Sequence, residues 1–231
     1  MSPFRRNVAA RRARALRTAA PGPLADLLRS PSPPRDTPVA DLPLLAVDLE
    51  TTGLDPRTDH VLSVGWVPVD GGRVVLGGAG GAVVRAAADV GQSATVHRLT
   101  DDVVAGGAAL EAVLADLLAV LRGRVLLAHF ARVETTFLGA ACERLWGAGL
   151  PVEVVDTLDL ERRAVSGAWG GEVETGALRL WAARERRGLP AYGAHEALTD
   201  ALACAELYLA QVGEIGSRGA RPATLGDVVA R

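Results

Sequence analysis

Short apolar runs occupy the middle of this chain in an order that few folds accommodate. "LPLLAVDLE", "HVLSVGWVPVD" and "GRVVLGGAGGAVVRA" follow one another as strand-like segments, the last two joined at a turn near Asp70, Gly71 and Gly72. After them the period changes. "ALEAVLADLLAVL" carries Leu110, Val113, Leu114, Leu117, Leu118 and Leu121 at helical spacing. The strand "RVLLAHF", the helix "RVETTFLGAACERLW", the strand "VEVVDTLDL", and the helices "ETGALRLWAARERRG" and "EALTDALACAELYLAQV" then follow. Three neighbouring strands succeeded by strands that alternate with helices predict an α/β fold with a mixed five-stranded sheet, covered by helices on both faces.

The flanks differ in composition. The first 25 residues hold Arg5, Arg6, Arg11, Arg12, Arg14 and Arg17 without an acid, and "SPSPPRDTP" follows as a linker whose prolines sustain neither helix nor central strand. Residues 1–42 therefore read as a basic arm and proline-rich linker, 43–213 as the folded domain and 214–231 as a C-terminal tail. A formal charge of -2 excludes a globally basic nucleic-acid coat and leaves room for a local site. Cys142 and Cys204 lie in helical segments without a CxxC or Cys/His neighbour, which points to a reduced, cytoplasmic chain without a zinc site. No apolar run approaches the roughly 18 to 20 residues of a membrane span, so a membrane is not an expected partner.

The first strand ends in chemistry. Asp48 and Glu50 project to the same side as Leu44 and Ala46, because side chains alternate faces along a strand. Two carboxylates so placed are either solvated at an emerging strand end or held against a cation that offsets their repulsion and lost hydration. Glu134 shares a helical stripe with Leu138, Ala141 and Leu145, as a first-turn acid favoured by the helix dipole or as a ligand. Asp200 shares its face with Ala203, Cys204 and Leu207 and poses the same alternative. His195 falls in the loop "LPAYGAHEA", as a surface residue or as a group that swings over a site.

Taken together, "DLETTGLD", "AHFARVETTFL" and "HEALTD" resemble the three motifs of the DEDDh 3′–5′ exonucleases, the group that includes the epsilon proofreading subunit of bacterial DNA polymerase III, RNase T and oligoribonuclease. "VHRLTDDVV" is similar to a further segment of that family, and the likeness runs from about residue 43 to 212. The resemblance implies a ribonuclease H-like fold in which Asp48, Glu50, Glu134 and Asp200 hold two divalent ions and His195 is the general base. Thr51, Thr52, Gly53 and Leu54 would bracket the terminal nucleotide, with Phe137 beside Leu54 as a stacking surface. One departure stands out: the second motif usually has aspartate within His-Asn-x-x-Phe-Asp, whereas this chain has His129, Phe130, Ala131, Arg132, Val133 and Glu134.

All-oxygen ligands favour Mg2+ or Mn2+, two ions assist attack by water and departure of the 3′-oxygen, and a histidine with an ordinary pKa near 6.5 accepts a proton at neutral pH. The expected activity is release of nucleoside 5′-monophosphates from a single-stranded 3′ end, DNA by likeness to the epsilon type, with a DNA polymerase as a second partner. Arg98 and Arg132 are candidate phosphate contacts or ordinary surface charge. The competing readings are a catalytically weak module that binds 3′ ends or a polymerase, and an RNA-processing exonuclease.

Overall fold

β1 (Leu44–Thr51) is the spine of the sheet, and its neighbours on the two sides run in opposite senses. In this computed structural model, which describes residues 8–85, 101–166, 176–193, 196–218 and 221–230, the chain order is α1 (Val8–Leu16), α2 (Pro23–Arg29), β1, β2 (Val61–Asp70), β3 (Arg73–Val74), β4 (Gly80–Val83), α3 (Asp101–Ala105), α4 (Leu110–Leu121), β5 (Val125–Ala128), α5 (Arg132–Trp146), β6 (Val154–Asp156), α6 (Thr157–Ser166), α7 (Leu180–Glu185), α8 (Ala197–Arg218) and α9 (Leu225–Val228). β2 lies antiparallel to β1 with Asp48 opposite Gly65 and Glu50 opposite Ser63, while β5 and then β6 continue the sheet in parallel.

Among the described residues the sheet has six strands in the order β3-β2-β1-β5-β6, with β4 also pairing β2. The difference from the expected five lies in the glycine-rich third run, which breaks at a 3-10 turn over Leu76–Gly78 into two short pieces. Helices cover both faces, as the alternation predicts. On one face Leu45, Val47, Leu49, Val64 and Leu126 pack with leucines of α2 and α4 and with Leu138 and Cys142 of α5. On the other, Leu44, Ala46, Val67, Val69 and Leu127 pack with Ala201, Cys204, Ala205 and Tyr208 of α8. At roughly 25 cal/mol per Å² of apolar area removed from water, these two layers supply the main driving force for folding.

Packing does not stop where composition changes. Leu24, Leu27 and Leu28, in the stretch read as an arm, enter the first core, and the buried Arg12 donates to the carbonyl of Leu27, fastening α1 to α2. Helix α8 continues past residue 213, and Leu225, Val228 and Val229, in the stretch read as a tail, enter the second core. Both segments carry apolar residues at helical or strand spacing, enough to offset the entropy of ordering them. Among the described residues no helix is long and apolar enough to cross a membrane.

One detail of the pairing opens a cleft. β5 pairs with β1 only over Leu44–Ala46, so the last five residues of β1 run beyond its neighbour. The carboxyl ends of the parallel strands β1, β5 and β6 thus share one edge of the sheet, the edge where open α/β sheets bind ligands.

Candidate active site

Asp48, Glu50 and Asp200 meet at that edge. One oxygen from each carboxylate lies within 4.8 Å of the others. Alternation along β1 supplies the first two, and Asp200 arrives from the first turn of α8. The approach of α8 depends on a glycine: a Cβ on Gly65, directly opposite Asp48, would lie 2.3 Å from the carbonyl carbon of Ala197 and from the nitrogen of Leu198. Only a residue without a side chain lets the start of that helix lie flat on the sheet. A glycine inside a strand often marks such an approach, and this was the sequence signal for Gly65.

The electrostatics of the cluster are of one sign. Burial pushes the Asp48 carboxyl well above the usual range, and Glu134, Asp200 and Glu50 each push it farther. Glu161 makes the contrast: also buried, it is held by Arg186 at 2.6 Å, Arg187 at 2.7 Å and Gln211 at 2.9 Å, and these outweigh burial so that its pKa falls. The oxygen-only donor set around Asp48 suits a hard divalent cation, which would lower the pKa values that burial raises.

Glu134 does not join the three converging acids. It is buried at 3 % exposure in the first turn of α5. Burial pushes its carboxyl up to about 8, its own backbone hydrogen bond pulls the other way, and Asp156 and Glu50 add to the rise. Oε2 makes no hydrogen bond. The stripe expected from sequence is real, because Phe137, Leu138 and Ala141 are buried on the same side. That stripe also corrects the reading of Phe137, which at 4 % exposure belongs to the core with Leu49 and Val61 rather than to a stacking surface.

The aromatic beside Leu54 is Phe130. Leu54 is 76 % exposed and Phe130 42 % exposed, and both line a cavity of about 540 Å³ with Val133 and Arg132. Phe130 adopts φ 66°, the left-handed region that costs an ordinary residue about 1–2 kcal/mol. Asp156 holds it there: its carboxylate accepts the N–H groups of Phe130 at 2.9 Å, Ala131 at 3.1 Å and Leu158 at 2.9 Å, bracing the start of α5 against the end of β6. Residue type alone carried no signal for this turn.

The loop after β1 is braced by Asp59. Its carboxylate accepts the Asp55 N–H at 2.8 Å and the Thr52 hydroxyl at 3.3 Å, and a Cβ on Gly53 would stand 2.5 Å from Oδ2. The Thr51 hydroxyl donates to the Gly53 carbonyl at 2.7 Å. The loop that follows Glu50, from Thr51 to Leu54, is thus braced by its own side chains.

His195 lies outside the described residues, as do Arg98 and the first part of "VHRLTDDVV". Of the described histidines, His129, the residue after β5, is half-buried; loss of hydration lowers its pKa to about 4, and its Nδ1 lies 2.8 Å from the Thr157 hydroxyl.

Comparison with known proteins places these features in a wider set. The RNase_T family model, described as an exonuclease, matches residues 45–208. DNA polymerase III PolC-type of Thermotoga maritima is 25% identical over 175 residues, covering 75% of this chain and 12% of that protein. DNA polymerase III subunit epsilon of Treponema pallidum is 26% identical over 167 residues, covering 72% of this chain and 75% of that subunit. Among solved structures, Escherichia coli exonuclease I in complex with a dT13 oligonucleotide superposes with a TM-score of 0.60 at 16% identity, over 77% of this chain and 42% of that one. The shared architecture is the ribonuclease H-like mixed sheet expected from the motifs.

Proposed function

This chain belongs to the RNase_T family of exonucleases, and from that premise we propose that it is a metal-dependent 3′–5′ exonuclease that hydrolyses single-stranded DNA ends to nucleoside 5′-monophosphates. The observation that carries the proposal is the meeting of Asp48, Glu50 and Asp200 at the open end of β1, a partly buried group of like charges. Mg2+ or Mn2+ fits the oxygen donors, and two such ions bound there would polarise the scissile phosphate and stabilise the departing 3′-oxygen.

The chain's own residues have distinct tasks. Asp48, Glu50 and Asp200 hold the cations, with Glu134 as the fourth acid once its side chain turns toward them. Leu54 and Phe130 receive the terminal base by stacking that tolerates any sequence, and the braced loop from Thr51 to Gly53 seats the sugar. His195 accepts the proton of the attacking water. Phe137 supports the α5 wall from inside the core.

The chain spans only 12% of the PolC-type polymerase it matches, so association with a DNA polymerase is proposed from the polymerase III names of its relatives. Glu134, which lies outside the converging group of three, favours a second reading, a module of the same fold that binds 3′ ends but cleaves them weakly. A 5′-labelled oligonucleotide incubated with Mg2+ or Mn2+ separates the two. Stepwise 3′ shortening with release of 5′-monophosphates supports the enzyme; retained binding without shortening supports the module. Matched DNA and RNA strands in that assay set the sugar preference, which rests on contact with the 2′-hydroxyl.

A further inference from the structure

We propose that the cavity between α1 and the start of α5 carries the sugar–phosphate backbone of the substrate strand toward the acidic cluster, so that the helix preceding the matched exonuclease segment is part of the nucleic-acid surface. The inference takes its substrate class from the reading above and adds a binding path outside residues 45–208.

The cavity measures about 520 Å³ and is lined by four arginines from separate segments: Arg11 on α1, Arg35 in the proline-rich stretch, Arg132 at the start of α5 and Arg162 on α6. Phe130 and Arg132 also line the cavity that contains Leu54, so the two spaces adjoin along that pair. A strand whose last base rests on Leu54 would cross the outward-facing Phe130 ring and continue among the arginines. Single strands are bound by this pairing of a stacking surface with a cationic groove.

Charge compensation distinguishes the arginines. The cavity also holds Glu153, Asp156 and Asp159. Glu153 faces Arg35 at 3.5 Å, Asp159 is held by Arg162 at 2.8 Å and Arg163 at 3.2 Å, and Asp156 is engaged by backbone N–H groups. Among the described residues Arg11 and Arg132 form no ion pair, and both are exposed. They are the two positive charges left for phosphate. Arg12, next in sequence to Arg11, is turned inward onto the Leu27 carbonyl and fixes the helix that presents Arg11.

Binding of a fluorescein-labelled 12-nucleotide oligothymidylate, followed by anisotropy in EDTA over a range of salt, tests this without hydrolysis. For single strands the slope of log affinity against log salt falls by about 0.7 for each phosphate that the protein no longer neutralises. Arg11→Ala and Arg132→Ala should each flatten the slope by about that amount and weaken binding severalfold at low salt, with unchanged melting temperatures. Arg122→Ala, which removes an exposed arginine at the opposite end of the sheet, should leave the slope unaltered. Absence of strand binding by the native chain, slopes unaffected in both variants, or equal flattening in Arg122→Ala would overturn the inference. A chain that binds in this arginine-dependent way yet cleaves nothing would overturn the exonuclease reading alone; one that shortens strands while its slope ignores Arg11 and Arg132 would overturn this inference alone.

Discussion

Replacing Glu134 by glutamine isolates the cost of charge at the site. The fold holds this carboxyl at about 8 against an ordinary 4.5, so the folded protein binds a proton that the unfolded chain has released across that interval. A raised carboxyl contributes stability that is complete below pH 4.5 and is lost as pH rises through about 8. With 1.36 kcal/mol for each tenfold change in proton affinity, the loss by pH 8 is about 4 kcal/mol. For a chain of this size 1 kcal/mol moves the melting temperature by roughly 2–4 °C. Wild type in EDTA should therefore melt about 10 °C lower at pH 8 than at pH 5, beyond any change common to both proteins. Glu134→Gln, neutral throughout, should lose much of that slope and keep the share due to Asp48, whose carboxyl is raised in the same direction. Mg2+ should restore wild type most at high pH, because it binds the ionised acids. Thermal unfolding followed by circular dichroism from pH 5 to 9 measures both curves. Parallel curves for the two proteins would refute the reasoning.

Three further outcomes follow from individual side chains. Gly65→Ala should push the start of α8 off the sheet, destabilising the fold by about 1–3 kcal/mol and weakening Mn2+ binding, as calorimetry would record, because Asp200 moves with the helix. Leu54→Ser should raise KM for oligonucleotides by about tenfold, the scale of one stacking interaction, while kcat and melting temperature stay unchanged at so exposed a residue. His195→Ala should retain cation affinity yet lose turnover by about 10²- to 10⁴-fold, the usual share of a general base; steady-state kinetics in which turnover is unchanged would remove the histidine from the mechanism.

Parity along a strand and spacing along a helix made part of this site readable from sequence. Asp48 and Glu50 share a face because they are two apart, and the apolar stripe of α5 foretold a buried Glu134. The same stripe held Phe137, three residues on, so its burial was legible as well, although its aromatic character invited a reading as substrate surface. Phe130 was not legible, because its left-handed turn is set by Asp156 reaching across from β6, a partner 26 residues away. Asp59 likewise acts through the fold of its own loop. At the termini, Leu24, Leu27 and Leu28 carry helical spacing, and Thr224 and Asp227 form a capping box that starts α9. Proline and arginine content masked the first signal, and the short length of α9 masked the second.

Manganese binding at pH 7.5, counted by electron paramagnetic resonance, tests the account at its centre. Wild type should take up Mn2+ stoichiometrically, and Asp48→Asn should abolish that uptake while the protein remains folded and melts at a higher temperature in EDTA. Uptake by Asp48→Asn equal to that of wild type would contradict a cation site built on Asp48, Glu50 and Asp200.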